Sequence, residues 1–141
     1  MKGHHINIAV TLSNMFGLPL LFLPIGWILK LIFFATITCS CLMHISERKH
    51  SLPGLYPFNK YSDIFLRYDR IMARICVIIV IFYTYIKWTM ISTWILVYAA
   101  LGLVSLIISE KVATENWTFF MVTHSTWHFI AYTTAYLIIS I

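Results

Sequence analysis

Charged residues are scarce in this sequence. Only 11% of its 141 residues are Asp, Glu, Lys or Arg, whereas 60% are hydrophobic, and the mean hydropathy is +0.84. A soluble domain of this length could not bury so much apolar surface. The scarcity of charge therefore excludes a soluble globular protein and indicates an integral membrane protein.

Paired cysteines and a clustered basic face are also missing. The three cysteines, Cys39, Cys41 and Cys76, lie in or beside apolar stretches, so we expect reduced thiols and no secretory disulfide framework. The net charge is +5, but the basic residues are scattered between apolar stretches, which argues against a nucleic-acid-binding protein. We therefore interpret the basic residues as signals of membrane topology.

Long apolar stretches are what the sequence does contain. Five of them approach the roughly 20 residues that a helix needs to cross a hydrocarbon core about 30 Å thick. They predict an all-α integral membrane protein, one domain over residues 1–141, with transmembrane helices at Ile6–Leu23, Trp27–Ile45, Tyr68–Ile86, Trp88–Ile108 and Trp117–Ile141. No small-residue cleavage site follows the first stretch, so we expect a retained helix and not a signal peptide.

The connections between these stretches carry turn and interface signals. Pro24-Ile25-Gly26 predicts a tight antiparallel hairpin between the first two helices. Ser46–Arg67 is the longest polar segment and is predicted to be a loop or an interfacial segment. Trp27, Trp88 and Trp117 fall at predicted helix ends, where amphipathic rings prefer the headgroup region.

The basic residues predict an orientation. With five crossings, the N-terminus, the second-third loop and the fourth-fifth loop lie on one side of the membrane. The Lys and Arg residues near the helix ends of that side outnumber those of the other side: Lys2, Arg48, Lys49, Lys60, Arg67, Arg70 and Lys111 against Lys87 and Lys30. The positive-inside rule makes the richer side cytoplasmic and places the C-terminus outside. The glycosylation sequon Asn116-Trp117-Thr118 would then not meet the glycosylation machinery.

Four ionisable residues lie within or next to the predicted membrane helices: His44, Asp69, His124 and His128. Such residues are costly in a bilayer, so each is a functional hypothesis. His124 and His128 are four residues apart and share one helix face, the spacing at which two imidazoles bind one metal ion, although a purely structural pair is an alternative. His44 and Asp69 taken singly are also compatible with interfacial residues that pair with nearby arginines.

The predicted topology brings these residues together. The second helix ends, and the third and fifth begin, on the same side, so His44, Asp69 and the histidine pair are expected near one face. Ser40 shares a helix face with His44. His128 lies eleven residues after Trp117, roughly 16 Å along a helix, and an extension of the second helix through Arg48 would bring His44 closer to that depth.

This constellation suggests zinc chemistry. Three imidazoles leave the fourth position of a tetrahedral Zn²⁺ open, as in hydrolytic sites, and zinc-bound water is the nucleophile we expect. Asp69 could orient that water or act as general base, and Ser40 could stabilise the oxyanion. Cys41 is an alternative ligand. We expect the remaining histidines, which lie outside the apolar stretches, to be solvated: His4, His5 and His50.

The same residues resemble a known family signature. Ser40-Cys41-Leu42-Met43-His44, Asp69 and His124-Ser125-Thr126-Trp127-His128 are similar to the Ser-x-x-x-His, Asp and His-x-x-x-His motifs of the CREST superfamily of membrane hydrolases. That superfamily includes alkaline ceramidases, progestin and adiponectin receptors, Per1-type proteins, and the transmembrane protein 8 and myomaker group. The motif residues of this sequence resemble those of the last group most. The resemblance implies a zinc on three histidines and a lipid amide or ester as substrate. It also implies seven helices. This chain would form a shortened version with five, and because two helices are missing, the motifs stay on the same side of the membrane.

Three functions follow from these observations. The leading hypothesis is a zinc-dependent membrane hydrolase, ceramidase-like or phospholipase-like, acting in lipid metabolism on a membrane lipid. The first alternative is a non-enzymatic membrane scaffold or fusion-type protein with a structural metal site. The second is a haem protein with His44 and His124 as axial ligands. Ser40 and Asp69 favour the hydrolase, because a structural zinc needs neither.

Overall fold

The computed structural model describes residues 3–48, 52–111 and 116–141, and these are helical with no strand among them. The α-helices are α1 His4–Ser13, α2 Trp27–Ser46, α3 Ser62–Ile86, α4 Thr93–Lys111 and α5 Trp117–Ser140. Shorter 3₁₀ segments are found at Asn14–Phe22, Phe58–Tyr61 and Trp88–Met90. The predicted all-helical class is confirmed.

The first apolar stretch forms two helix types in succession. α1 continues directly into the 3₁₀ helix Asn14–Phe22, which contains Pro19. Proline has no N–H donor and its ring clashes with the carbonyl four residues earlier, so regular α-helical bonding cannot continue through it. The 3₁₀ form has a longer rise per residue, so His4–Phe22 reaches about 33 Å, the thickness of a hydrocarbon core.

Three helical stretches of the described chain are long and apolar enough to cross a membrane: His4–Phe22, Trp27–Ser46 and Thr93–Lys111. Many large apolar side chains face outward, such as Ile78 and Phe82 on α3. These features point to a membrane protein. α3 and α5 are less apolar because of polar residues in their sequences, among them Asp69, Arg70 and Arg74 on α3.

Two helix starts differ from the sequence prediction. α3 begins at Ser62 and not at Tyr68, and Asp63 in its first turn interacts favourably with the positive end of the helix dipole. α4 begins at Thr93 and not at Trp88, because the chain forms the 3₁₀ turn Trp88–Met90 and then an extended residue before the helix starts. The connection before α3 is shorter than hydropathy alone indicates, and the connection before α4 is longer.

The helices alternate in direction. The Asn7 side-chain amide donates to the backbone oxygens of His44 (2.9 Å) and Glu47 (3.1 Å), so the start of α1 meets the end of α2, and the predicted antiparallel hairpin is confirmed. The Ser105 hydroxyl of α4 donates to the backbone oxygen of Thr123 in α5 (2.7 Å), so the end of α4 meets the start of α5. We call the end where α1, α3 and α5 begin the N-terminal end of the bundle.

Two apolar clusters close the bundle on either side of a polar layer. Ile6, Val10, Leu52 and Phe120 pack at the N-terminal end. A second cluster lies at the opposite end and contains Leu20, Leu23, Phe33, Ala135 and Ile139. The polar residues of the candidate site occupy the space between the two clusters.

The loop after α2 folds back over the N-terminal end. Gly54 has a φ of 56°, and a Cβ there would lie 2.5 Å from the Ser46 carbonyl oxygen, so only glycine fits. The next residue, Leu55, donates its backbone N–H to the Ile45 oxygen at 2.8 Å. This return places Leu52 in the apolar cluster above the polar layer.

Candidate metal centre and its cavity

Three histidines meet in the polar layer. The ring centroids of His44, His124 and His128 are 4.8 to 5.0 Å apart, and one nitrogen from each ring lies within 4.8 Å of the others. All three side chains are buried. His44 comes from α2 and the other two from α5. These three residues could hold a metal ion, as the sequence spacing predicts.

Glu47 fixes the ring of His44. Its Oε2 lies 3.0 Å from His44 Nδ1, and the two residues are 6% and 1% exposed. A carboxylate oxygen accepts hydrogen bonds, which favours the His44 tautomer with the proton on Nδ1 and the lone pair on Nε2. That Nε2 is buried and has no hydrogen-bond partner among the described residues. An unsatisfied buried nitrogen is costly, and a metal ion would satisfy it.

Serines from two other helices fix the remaining rings. Ser13 Oγ of α1 lies 2.7 Å from His128 Nδ1, and Ser109 Oγ of α4 lies 3.0 Å from His124 Nδ1. Each hydroxyl donates its single proton to a backbone carbonyl of its own helix, at 2.7 and 2.8 Å. With their protons used in this way, the serine oxygens are available as acceptors, which favours the Nδ1–H tautomer of His124 and His128 with the lone pair on Nε2.

Ser40 and Asp69 lie beside the cluster and not within it. Ser40 is buried one turn before His44 and lies beside the carboxyl group of Asp69 on α3. Asp69 also lies within electrostatic range of His44. Among the described residues the metal-compatible group contains only the three histidines. Both residues line the same cavity as the histidines, which is compatible with the predicted role of each beside a metal ion.

Helix direction explains why His44 and His128 reach the same depth. The expected extension of α2 through Arg48 does not form, because α2 ends at Ser46 and Glu47 is its C-cap. In an α-helix every side chain leans toward the helix N-terminus. Since α2 and α5 run in opposite directions, the two side chains lean toward each other along the bundle axis. Their ring centroids are 5.0 Å apart.

The histidines line a cavity of about 1040 Å³ between α2, α3, α4 and α5. It exists because α3 packs along α2 and α4 packs along α5, whereas the described residues of α3 and α4 make at most marginal contact with each other. Polar residues line it toward the N-terminal end, including Arg48, Asp63 and Glu110. Further along, its walls are largely apolar, with residues such as Phe33, Val77, Val80, Ala99 and Ile138.

Sequence reasoning missed the residues that hold the rings. Glu47 was assigned to a polar loop, although its position three residues after His44 was a usable signal for a contact on one helix face. Ser13 and Ser109 lie in apolar stretches, where serines usually bond only to their own backbone, so no sequence signal distinguishes them.

The other candidate residues lie elsewhere. Cys41 directs its Sγ to the Thr11 backbone oxygen (3.6 Å) and lies outside the metal-compatible group, so the alternative ligand is not supported. All three cysteines are free. His5 is exposed as expected, whereas His4 is half-buried. The predictions for Lys2, Lys49 and His50 fall outside the described residues.

No protein-family model, curated protein or solved structure matches this chain.

Proposed function

We propose that this chain is a zinc-dependent membrane hydrolase that cleaves a lipid amide or ester, with a shortened CREST-like fold. The observation that carries the proposal is that three buried histidines meet with each Nδ1 atom 2.7 to 3.0 Å from a side-chain oxygen, which favours a free Nε2 on every ring. Metal-binding histidines typically have their second nitrogen held in this way. Three imidazole ligands suit Zn²⁺ and leave one position open, as in hydrolytic sites.

A bound zinc ion would supply a water of lowered pKa and would polarise the lipid carbonyl. Asp69 would accept the proton of the attacking water and return it to the leaving amine or alcohol as the acyl bond breaks. Ser40, which lies beside Asp69 in the cavity, would fix the carboxyl group of Asp69 for this transfer by donating a hydrogen bond. Ser40 therefore acts first as a positioning residue, and a role at the oxyanion would require its hydroxyl to rotate away from Asp69.

The cavity suits a lipid with its polar part toward the N-terminal end. From Asp69 to Thr84, both of which line it, α3 rises about 22 Å, enough to accompany a long acyl chain. The gap between α3 and α4 would allow a lipid to enter sideways from the bilayer. Largely apolar walls with a few converging polar groups are typical of sites that bind such molecules.

All five helical stretches cross the membrane in this proposal, with the N-terminal end of the bundle in the cytoplasm. The charged residues of α3 do not argue against a crossing, since Asp69, Arg70 and Arg74 line the cavity and do not face only lipid. The described basic residues near the N-terminal end, such as Arg48, Lys60 and Lys111, favour this orientation.

One alternative keeps support from the structure. The histidines and their oxygen partners come from α1, α2, α4 and α5, so a metal ion would link four helices, which is what a structural site in a non-enzymatic scaffold requires. The haem alternative has less support. The rings of His44 and His124 are in edge contact, with centroids 4.8 Å apart, which leaves no room for a porphyrin between them.

Asp69→Asn separates the hydrolase from the scaffold. We expect the variant to keep its zinc and its helix content, while fatty-acid release from a ceramide and phospholipid panel falls by roughly two to four powers of ten, the usual contribution of an acid-base group. Asp63→Asn is the matched control, because Asp63 lines the same cavity on the same helix but belongs to neither the histidine cluster nor the Ser40 pair.

The assay has two informative failures. If the native protein releases no more fatty acid than its metal-stripped form, the hydrolase proposal fails for those lipids and the scaffold is preferred. If Asp69→Asn loses its zinc, Asp69 supports metal binding and not proton transfer alone.

A further inference from the structure

α3 presents two arginines to the cavity. Arg70 and Arg74 are one helical turn apart, and both line the space that the histidines share. No ion pair is formed by either residue within the described part of the chain. Guanidinium groups are costly inside a membrane unless they meet an anion or water. The proposed mechanism assigns neither residue a part in metal binding or proton transfer, so their position requires a separate explanation.

Of the carboxylates that the structure describes around the cavity, none forms an ion pair with either arginine. Glu47 is bonded to His44 at 3.0 Å, and Glu110 lies 3.8 Å from His124. Asp69 lies beside Ser40 and interacts electrostatically with Arg70 without forming an ion pair with it. Asp63 lies seven and eleven residues before the two arginines, about 10 and 16 Å along the helix. Arg74 in particular lines the cavity with no carboxylate among residues 3–48, 52–111 and 116–141 within ion-pair distance.

The position of the arginines relative to the histidines indicates which chemical groups a ligand of the cavity would carry. Arg74 lies five residues beyond Asp69, about 7 Å along α3, but long helical side chains lean toward the helix N-terminus. Its guanidinium group therefore leans back toward the level of Asp69 and the histidines. Guanidinium groups bind phosphate oxygens in pairs of parallel hydrogen bonds. A lipid that carries a phosphate and an acyl ester on one glycerol would place both groups in this region.

We infer that Arg70 and Arg74 bind the phosphate of an anionic lipid and select that class of lipid as the ligand of the cavity. As a statement about substrate, the inference rests on the proposed function. As a statement about binding, it does not require metal or catalysis. Arg48, which lines the cavity just after α2, adds positive charge at the same end.

The test is binding of a fluorescent phosphatidic acid to detergent-purified protein, compared with a diacylglycerol of the same chains. We expect phosphatidic acid to bind more tightly, and Arg74→Gln or Arg70→Gln to weaken it roughly tenfold, the contribution of a charged hydrogen bond, with diacylglycerol unaffected. Arg74→Lys should retain more of the affinity than Arg74→Gln, because it keeps the charge.

Arg67→Gln is the matched control. It removes the same charge from the same helix, but Arg67 lines a separate surface cavity with Ile64, Tyr68 and Ile71. Equal weakening by Arg67→Gln and Arg74→Gln would assign the effect to general surface charge and overturn the inference. Equal affinity of the native protein for both lipids would also overturn it. Competition by soluble glycerol phosphate as strong as that by phosphatidic acid would assign the arginines to free phosphate esters and overturn the lipid part.

Metal-stripped protein separates this inference from the proposed function. If it still discriminates the two lipids through Arg70 and Arg74 while the metal-loaded protein cleaves neither, the binding inference stands and the hydrolase proposal fails. The opposite result is cleavage of lipids with an unchanged preference. If the ratio of kcat/KM for phosphatidic acid to kcat/KM for diacylglycerol is the same in Arg70→Gln and Arg74→Gln as in the native protein, the inference is refuted and the hydrolase proposal stands.

Discussion

Replacing Glu47 by Gln tests whether the histidine cluster binds metal in the geometry described. The carboxylate accepts a hydrogen bond from His44 Nδ1 at 3.0 Å in a buried setting, so it fixes both the ring orientation and the tautomer. Gln has the same shape but no charge. If its amide nitrogen faces the ring, Nδ1 must accept, and the proton moves to Nε2, the metal-binding atom. Partners of this kind contribute 10-fold to 100-fold in metal affinity, about 1.4 to 2.7 kcal/mol.

We therefore expect the zinc dissociation constant of Glu47→Gln to rise by roughly 10-fold to 100-fold in a competition titration with a chromogenic chelator. The control is Asp63→Asn, which removes one negative charge from the same cavity without contacting an imidazole. Similar zinc affinities for the two variants would show that general charge, and not the bond to His44, controls metal binding. Loss of helix content in Glu47→Gln alone would assign Glu47 a folding role instead.

Two further predictions concern the metal and the membrane. His128→Ala should lose most of the zinc found by elemental analysis of the purified protein, because two imidazoles remain of three; unchanged zinc would rule out this site. In a cysteine-free background, an impermeant thiol reagent applied to intact cells should label Trp88→Cys and not Tyr56→Cys, since these exposed positions lie in connections at opposite ends of the bundle. The reverse labelling pattern would invert the proposed orientation.

The parts of the fold that hydropathy controls were predictable from the sequence. Helix order, helix class and the first hairpin follow from the lengths of the apolar stretches and the turn at Pro24-Ile25-Gly26. His44 was expected to meet His124 and His128 because the number of predicted crossings places the end of the second helix and the start of the fifth at the same face. No packing detail is needed for this step, which is why the three histidines could be grouped from sequence.

The parts that depend on packing were not predictable. Whether Ser13 and Ser109 bond only to their own helices or also to an imidazole depends on which helix faces lie against each other. The imidazole tautomers depend in turn on those contacts. The polar start of α3 was also missed, since Ser62–Arg67 has loop-like composition but is helical in the structure. A polar segment can extend an apolar helix when one of its faces lines a cavity.

The first helix illustrates how polar residues set the packing of an apolar bundle. Asn7, Ser13 and Asn14 are almost completely buried, although α1 contributes no candidate metal ligand. Asn7 bonds the end of α2, Ser13 bonds His128, and Asn14 accepts a hydrogen bond from Tyr132 at 3.1 Å. Apolar packing in lipid does not strongly distinguish one helix register from another, but a buried polar group without a partner is costly. The three side chains therefore select one register of the first helical stretch against α2 and α5, and that register is the one that places Ser13 against the ring of His128.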